Sequence, residues 1–319
     1  MNGRILVIRG GAIGDFILTL PAVGLLRENF PNAHLEIMGY RHIVALAEGR
    51  WYANATRSIE YGAMARFFIP GSDLAPDLVE YFTSFHQVIS YLYDPDGFFT
   101  ANLGRAGVKN LLQAWVPIDD SRHAAWQLAQ PLEQMALYLE QHAAAVHLTD
   151  ADHAAAAAVL GSATERPLIA IHAGSGSLKK NWPIERWEEL GRRILAHPLE
   201  PTLVLAGGEA DIQPLAQLSQ AWRGLPVVLA RDLPLPQLGA IIARTRLFLG
   251  HDSGISHLAA AVGARCVLLF GPTDPAVWAP ANPRVTVLQA PGGDLRQLML
   301  PVVGAAAWAC LAENATVCD

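Results

Sequence analysis

Short apolar runs alternate with amphipathic segments from one end of this chain to the other. Strand-length runs fall at 4–9, 34–39, 57–60, 86–92 and 111–116, and again at 167–172, 202–206, 226–229, 246–250, 265–270 and 285–288. Helical patterns lie among them near 14–29, 41–49 and 75–84, then near 184–197, 211–222, 235–243 and 254–263. A strand, a helix and a second strand make a βαβ unit, and a series of such units builds a parallel sheet. The chain is therefore α/β, in two similar halves.

Length agrees, because 319 residues are more than one core normally serves. A helix-favouring stretch over about 123–162 includes "HAAAAAVLGSA", and "GSATERP" at 161–167 then reads as a linker. The boundary is expected near 163, giving domains 1–163 and 164–319. Pro21 lies inside the first helical pattern, where a missing N–H should kink the helix or end its first turn. No period of the kind that marks solenoids recurs.

Composition narrows the partners. A net charge of −6 argues against a nucleic-acid-binding face, so small molecules are expected. Strand-like sequence follows Met1 within a few residues and leaves no room for a secretory leader. The uncharged stretch 298–312 contains Pro301 and Gly304 and is short for a membrane span. Cys266, Cys310 and Cys318 form no CxxC pair, which fits a reduced cytoplasmic setting. The sequon Asn314-Ala315-Thr316 would matter only in a secreted protein.

Chemistry concentrates in three loops that follow strands. The first, "RGGAIGDFILTLP" at 9–21, has the glycines of a phosphate cradle but puts Asp15 in the first helical turn. The dipole stabilises a carboxylate there, and that carboxylate would repel a phosphate. An ordinary capping acid would look the same. The second, "IAIHAGSGSLKKNWPIERW" at 169–187, delivers His172, then Gly174 and Ser175 for close backbone approach, then Lys179 and Lys180 as charges for a phosphate. The third, "LFLGHDSGISHLAAAVGARCVLLFGPTDP" at 247–275, ends a strand and opens a helix with Asp252, Ser253 and Gly254, followed by His257. First-turn amides and a serine hydroxyl suit a phosphate. In "LVLAGGEADI" at 203–212, Glu209 is placed to accept hydrogen bonds from ribose hydroxyls.

Other patterns carry less. Asp94-Pro95-Asp96 matches a metal-holding D-x-D, but acids around a proline are common in turns. His251 and His257 are not spaced to share a helix face, and neither a zinc pattern nor a G-x-S-x-G elbow occurs.

The opening segment "ILVIRGGAIGDFILTLPAVGLLRENFPNAHLEIMG", with "HAGSGSLKKNWPIERW" and "GHDSGISHLAAAVGARCVLLFGPTDP", resembles the glycosyltransferase family 9 heptosyltransferases across nearly the whole chain. The resemblance implies two Rossmann-like domains with parallel sheets facing a central cleft (GT-B architecture), the acceptor on the first and the nucleotide sugar on the second. It implies an inverting, metal-independent glycosyltransferase that moves a heptose from an ADP-sugar to a lipopolysaccharide core or similar glycan. It needs no cofactor beyond that donor. Asp15 matches the family's general base and Lys180 its diphosphate lysine, with Lys179 as a rival. Ser253, Gly254 and His257 match the phosphate-binding residues, Asp252 the acid beside them, and Glu209 more loosely the ribose acid. A lipid-linked acceptor further implies peripheral contact at the cytoplasmic face of the inner membrane. Phe67-Phe68-Ile69 and Phe98-Phe99 suit either that contact or the core, and Arg41, Arg57, Arg66, Arg105 and Lys109 are candidate acceptor contacts. An NAD-dependent oxidoreductase and a non-catalytic nucleotide-sugar binder remain as alternatives. The first suffers because Glu36, its ribose acid, does not end its strand.

Overall fold

A computed structural model describes residues 3–312. The chain divides into two compact units, Met1–His142 and Ala143–Asp319.

The first unit runs β1 (Arg4–Arg9), α1 (Ile13–Asn29), β2 (His34–Gly39), α2 (Arg41–Val44), β3 (Ala55–Ser58), α3 (Pro76–Thr83), β4 (Gln87–Ser90), α4 (Phe98–Ala106), β5 (Leu111–Gln113) and α5 (Ala124–Ala129). Its five strands are parallel in the order β3-β2-β1-β4-β5. Ile5 to Ile8 are buried, as a central parallel strand covered on both faces requires. On one face Leu6, Ile8, Met38 and Val88 pack against Phe67, Phe82, Phe99 and Leu103.

The second unit runs α6 (Asp150–Leu160), β6 (Leu168–His172), α7 (Ile184–Leu195), β7 (Thr202–Gly207), α8 (Ile212–Ala221), β8 (Val227–Arg231), α9 (Leu235–Ile242), β9 (Leu247–His251), α10 (Gly254–Ala261), β10 (Cys266–Phe270), α11 (Pro275–Trp278), β11 (Val285–Gln289) and α12 (Leu300–Ala312). Its parallel order is β11-β10-β9-β6-β7-β8. One face is covered by a cluster around Trp182, Trp187 and Trp222, the other by one around Leu238, Ile241, Phe248 and Phe270. The order reverses at β1/β4 in one sheet and at β6/β9 in the other. Such switch points are where open α/β sheets bind ligands, outside the carboxyl ends of the strands.

Three expectations need correction, and one helix is new. The division falls after His142 rather than near 163, because α6 belongs to the second core. Ala156 and Leu160 pack with Leu238 and Ile242, and Gln237 and Arg244 donate to the carbonyls of Ala155 and His153. The stretch 123–162 is not one helix. After α5 a 3-10 turn, Gln130–Met135, ends at Ala136 in the left-handed region (φ 57°), and helix resumes only where Thr149 and Asp152 cap each other. Pro21 does not end α1, since Phe16 to Leu26 are all buried and packing outweighs the lost bond. The helix α4, which no clear periodicity announces, starts at Gly97 (φ 69°) with Asp94 accepting from the Phe99 and Thr100 amides.

The uncharged stretch near the C-terminus is α12, whose Val303, Ala307 and Leu311 enter the tryptophan-lined core. Among the described residues no helix is long and apolar enough to cross a membrane. Cys266 and Cys310 are buried and free, and burial pushes the Cys266 thiol up to about 12. Cys318 and the sequon at Asn314 lie outside the described residues.

Candidate functional site

In the first unit Asp15 stands in the first turn of α1, at the carboxyl end of β1. Its Oδ2 accepts the Ala12 amide at 2.8 Å, so it does cap the helix. Gly11 makes this possible. Its φ of 93° is a glycine conformation, and a Cβ there would lie 2.8 Å from Asp15 Oδ2. Arg9 Nη2 lies 3.6 Å from Asp15 Oδ1, while Arg9 Nε donates to Thr19 Oγ1 at 2.9 Å and its cation lies 6.0 Å from the Tyr91 ring. The Arg9 side chain is only 11% exposed, against 41% for Asp15. A buried cation thus backs a carboxylate that still reaches solvent. Burial holds Arg9 below the usual guanidinium range, with Asp15 opposing that shift.

In the second unit the loops after β6 and β9, at the switch point, are tied together. Lys180 Nζ donates to Asp252 Oδ2 at 2.6 Å, and Thr273 Oγ1 donates to the same oxygen at 2.6 Å. Lys179 is exposed, whereas Lys180 is half-buried. Ser253 is the N-cap of α10 and its hydroxyl and carbonyl both accept from the Ser256 amide; Gly254 opens the helix, and the amides before Ser256 have no carbonyl one turn back within the helix to bond. His257 is buried in that turn.

His251 fixes the loop that carries Lys180. Its Nε2 accepts from the Trp182 amide at 2.8 Å and from Trp187 Nε1 at 3.2 Å, so the ring proton belongs on Nδ1, facing the Gly174 carbonyl at 3.3 Å. Burial pushes the imidazole down to about 3, which keeps it neutral.

His172 lies between two groups. Its Nε2 is 3.2 Å from Asp211 Oδ2 and its Nδ1 is 3.4 Å from Ser253 Oγ. Burial opposes ionisation of Asp211, but the His172 hydrogen bond and charge and the Gly208 amide outweigh it and hold the carboxyl below its usual range. Asp211 carries no local signal of this role, although it follows Glu209 by two residues. Glu209 itself is exposed. Arg9, Thr273 and His251 also join these clusters without a local signal, a strand-end arginine having no pattern of its own.

The small residues after β6 serve the protein's own packing. A Cβ on Gly174 would lie 1.7 Å from Asp211 Oδ1, so the expected open approach is filled by a carboxylate. Ser175 Oγ lies 2.7 Å from the Ser177 carbonyl and 2.6 Å from Asn181 Oδ1, bracing the loop from within. Among the candidate acceptor cations, Arg57 stacks 4.0 Å from the Tyr81 ring, Arg66 donates to the Asp73 carbonyl, and Arg105 donates to Asn102 Oδ1 and the Ser72 carbonyl. Phe67 and Phe99 are core residues, while Phe68 is partly exposed and stacks on Phe99. Glu36 is buried within β2 and accepts from Tyr81 Oη at 2.7 Å, which removes the ribose acid that an oxidoreductase needs. Among the described residues no group of three or more His, Cys, Asp or Glu is placed to hold a metal ion.

The chain is 24% identical over 309 residues to lipopolysaccharide heptosyltransferase 3 of Escherichia coli, covering 89% of this chain and 88% of that one. It shares the fold of a glycosyltransferase family 9 protein from Veillonella parvula DSM 2008 at a TM-score of 0.81 and 19% identity, over 98% of each chain. It also shares the fold of the E. coli heptosyltransferase WaaC solved with ADP, at a TM-score of 0.72 and 17% identity, over 96% of this chain and 99% of the other. The sequence model described as glycosyltransferase family 9 (heptosyltransferase) matches residues 112–297, more than half of the chain. This chain belongs to glycosyltransferase family 9 and is a glycosyltransferase.

Proposed function

We propose that the protein transfers a heptose from ADP-heptose to a glycan of the lipopolysaccharide core, with inversion and without a metal. The second unit takes the nucleotide sugar and the first takes the acceptor. The acceptor's lipid brings the protein to the cytoplasmic face of the inner membrane. The observation that carries this reading is the Lys180–Asp252–Thr273 cluster at the N-terminus of α10, on the β6/β9 switch point.

In this mechanism the acceptor oxygen attacks the anomeric carbon, the bond from that carbon to the β-phosphate oxygen breaks, and ADP leaves with the electron pair. Asp15 takes the proton of the attacking hydroxyl. Lys180, the Ser253 hydroxyl and the first-turn amides of α10 meet the charge that grows on the diphosphate. An ammonium with oriented amides supplies the positive charge that a divalent ion brings in other transferases, which supports the metal-free reading. Partial exposure supports Asp15 as the base, since a proton acceptor must reach its substrate.

Incubation of the protein with ADP-heptose and defined lipopolysaccharide core acceptors, with and without a chelator, tests the proposal. Transfer that survives the chelator and gives the inverted linkage is expected. Absence of transfer with tight ADP binding would instead favour a non-catalytic binder.

A further inference from the structure

A pocket opens in the first unit at the carboxyl ends of β4 and β5, lined in part by Leu92, Tyr93, Asp94, Thr100, Gln113 and Trp115. Leu92 links it to the loop before Asp15, because a Cβ on Gly10 would touch Leu92 Cδ2 at 3.1 Å. The pocket wall and the backbone leading to the candidate base are therefore in contact.

Two exposed aromatic side chains frame it. Tyr93 is 62% exposed and Trp115 41%, yet their rings lie against each other with centroids 4.7 Å apart and planes tilted by 49°. An aromatic pair left largely in water beside a concavity is a standing surface for a flat, partly apolar ring. The polar groups are fixed too. Asp94 accepts the Phe99 amide on Oδ1 at 3.1 Å and the Thr100 amide on Oδ2 at 2.9 Å, which leaves a further lone pair on each oxygen. Gln113 Nε2 donates to Thr100 Oγ1 at 2.8 Å, so Gln113 Oε1 and the Thr100 hydroxyl proton remain to meet a ligand.

Charge chooses among rings. No lysine or arginine lines the pocket, and its one charged side chain is the Asp94 carboxylate. A carboxylate or phosphate on the ligand would be repelled without compensation. We propose that this pocket seats the acceptor's sugar ring, and that the ring is an uncharged pyranose whose C–H face lies on Tyr93 and Trp115 while its hydroxyls bond Asp94, Thr100 and Gln113. The proposal deepens the transferase reading and rests on it for the word acceptor.

The test is titration of the full-length protein with methyl glycosides, read by saturation-transfer NMR and by Trp fluorescence. The glycosides are a neutral heptopyranoside, a neutral glucopyranoside and a uronide. Saturable binding of a neutral glycoside is expected, with the uronide at least tenfold weaker. Trp115→Ala should weaken the neutral ligand tenfold or more, Trp115→Phe should restore most of it, and ADP affinity should stay at the parent value, which also verifies the fold. Uronide binding as tight as neutral binding, absence of saturable binding by any glycoside, or unchanged binding in Trp115→Ala would each overturn the proposal. Sugar binding is measured without a donor. Failure of heptose transfer would therefore sink the transferase reading while the pocket assignment stood.

Discussion

Lys180 Nζ and Asp252 Oδ2 lie 2.6 Å apart, and the carboxylate that holds the ammonium is itself buried and bonded to Thr273. The cation is thus positioned beside the Ser253 cap before any anion arrives. A diphosphate need only share it.

Lys180→Ala should weaken ADP binding by about 10- to 100-fold, the usual worth of a charge-assisted hydrogen bond of about 1.5–3 kcal/mol. Lys179→Ala, at an exposed position, should leave the dissociation constant within about threefold. Isothermal titration calorimetry distinguishes them. The opposite ranking would move the diphosphate contact to Lys179.

Asp15→Asn keeps an oxygen for the Ala12 amide, so α1 should remain capped. Transfer should nevertheless fall by about 10²-fold or more, the scale of a lost general base, with ADP affinity unchanged. Near-parental turnover in this variant would reduce Asp15 to a helix cap.

His251 gives stability an acid limit. Its imidazole is pushed down to about 3 in the fold, while in the unfolded chain it titrates near its ordinary value of about 6.5. Between those values the unfolded chain binds a proton that the folded chain does not. The contribution is complete above about pH 6.5 and is lost as pH falls toward 3, on the order of 2 kcal/mol by pH 5. Asp211, held below its usual range, adds a loss of the same sign in more acidic solution. Melting temperatures measured from pH 7.5 to 4.5 should therefore decline, and His251→Gln should flatten the upper part of the curve. A parent curve without slope there would show that His251 is charged in the fold.

Gly174→Ala brings a methyl group into the space of the Asp211 carboxylate and should destabilise by about 1–3 kcal/mol through overpacking. Paired with Asp211→Ala, the damage should be less than the sum of the two single changes. A double-mutant cycle from chemical denaturation reads the coupling. Simple additivity would mean that the loop moves aside at no cost.

Much of the fold could be read from the chain because buried parallel strands appear as short apolar runs between turns. Every strand of both sheets lies at or within a few residues of such a run; β3 is displaced toward the N-terminus of its run. What escaped notice lacks local periodicity. The helix α4 depends on a glycine start and on Asp94, which reaches it from several residues away. The Thr149-x-x-Asp152 cap was visible, but the alanine-rich run beside it suggested a longer helix. The site divides in the same way. Lys180, Asp252 and Ser253 stand in loops with a pattern, whereas Asp211 and Thr273 become partners only when strands distant in sequence are aligned. Gly174 was legible as a close approach, but the approaching atom belongs to the protein rather than to a ligand.

The order in which strands pair has a consequence for synthesis. Both partners of β1 have been made once Ser90 emerges, and the last strand β5 once Gln113 does, so the first sheet can close while the rest of the chain is still being translated. The second sheet is made in a similar order. Its central strand β6 pairs with β7 but must wait for β9, beginning at Leu247, before its other edge is covered. During that interval, as while β1 waits for β4 in the first half, an apolar strand edge is open to wrong partners, so slow translation exposes the central strand of each sheet in turn.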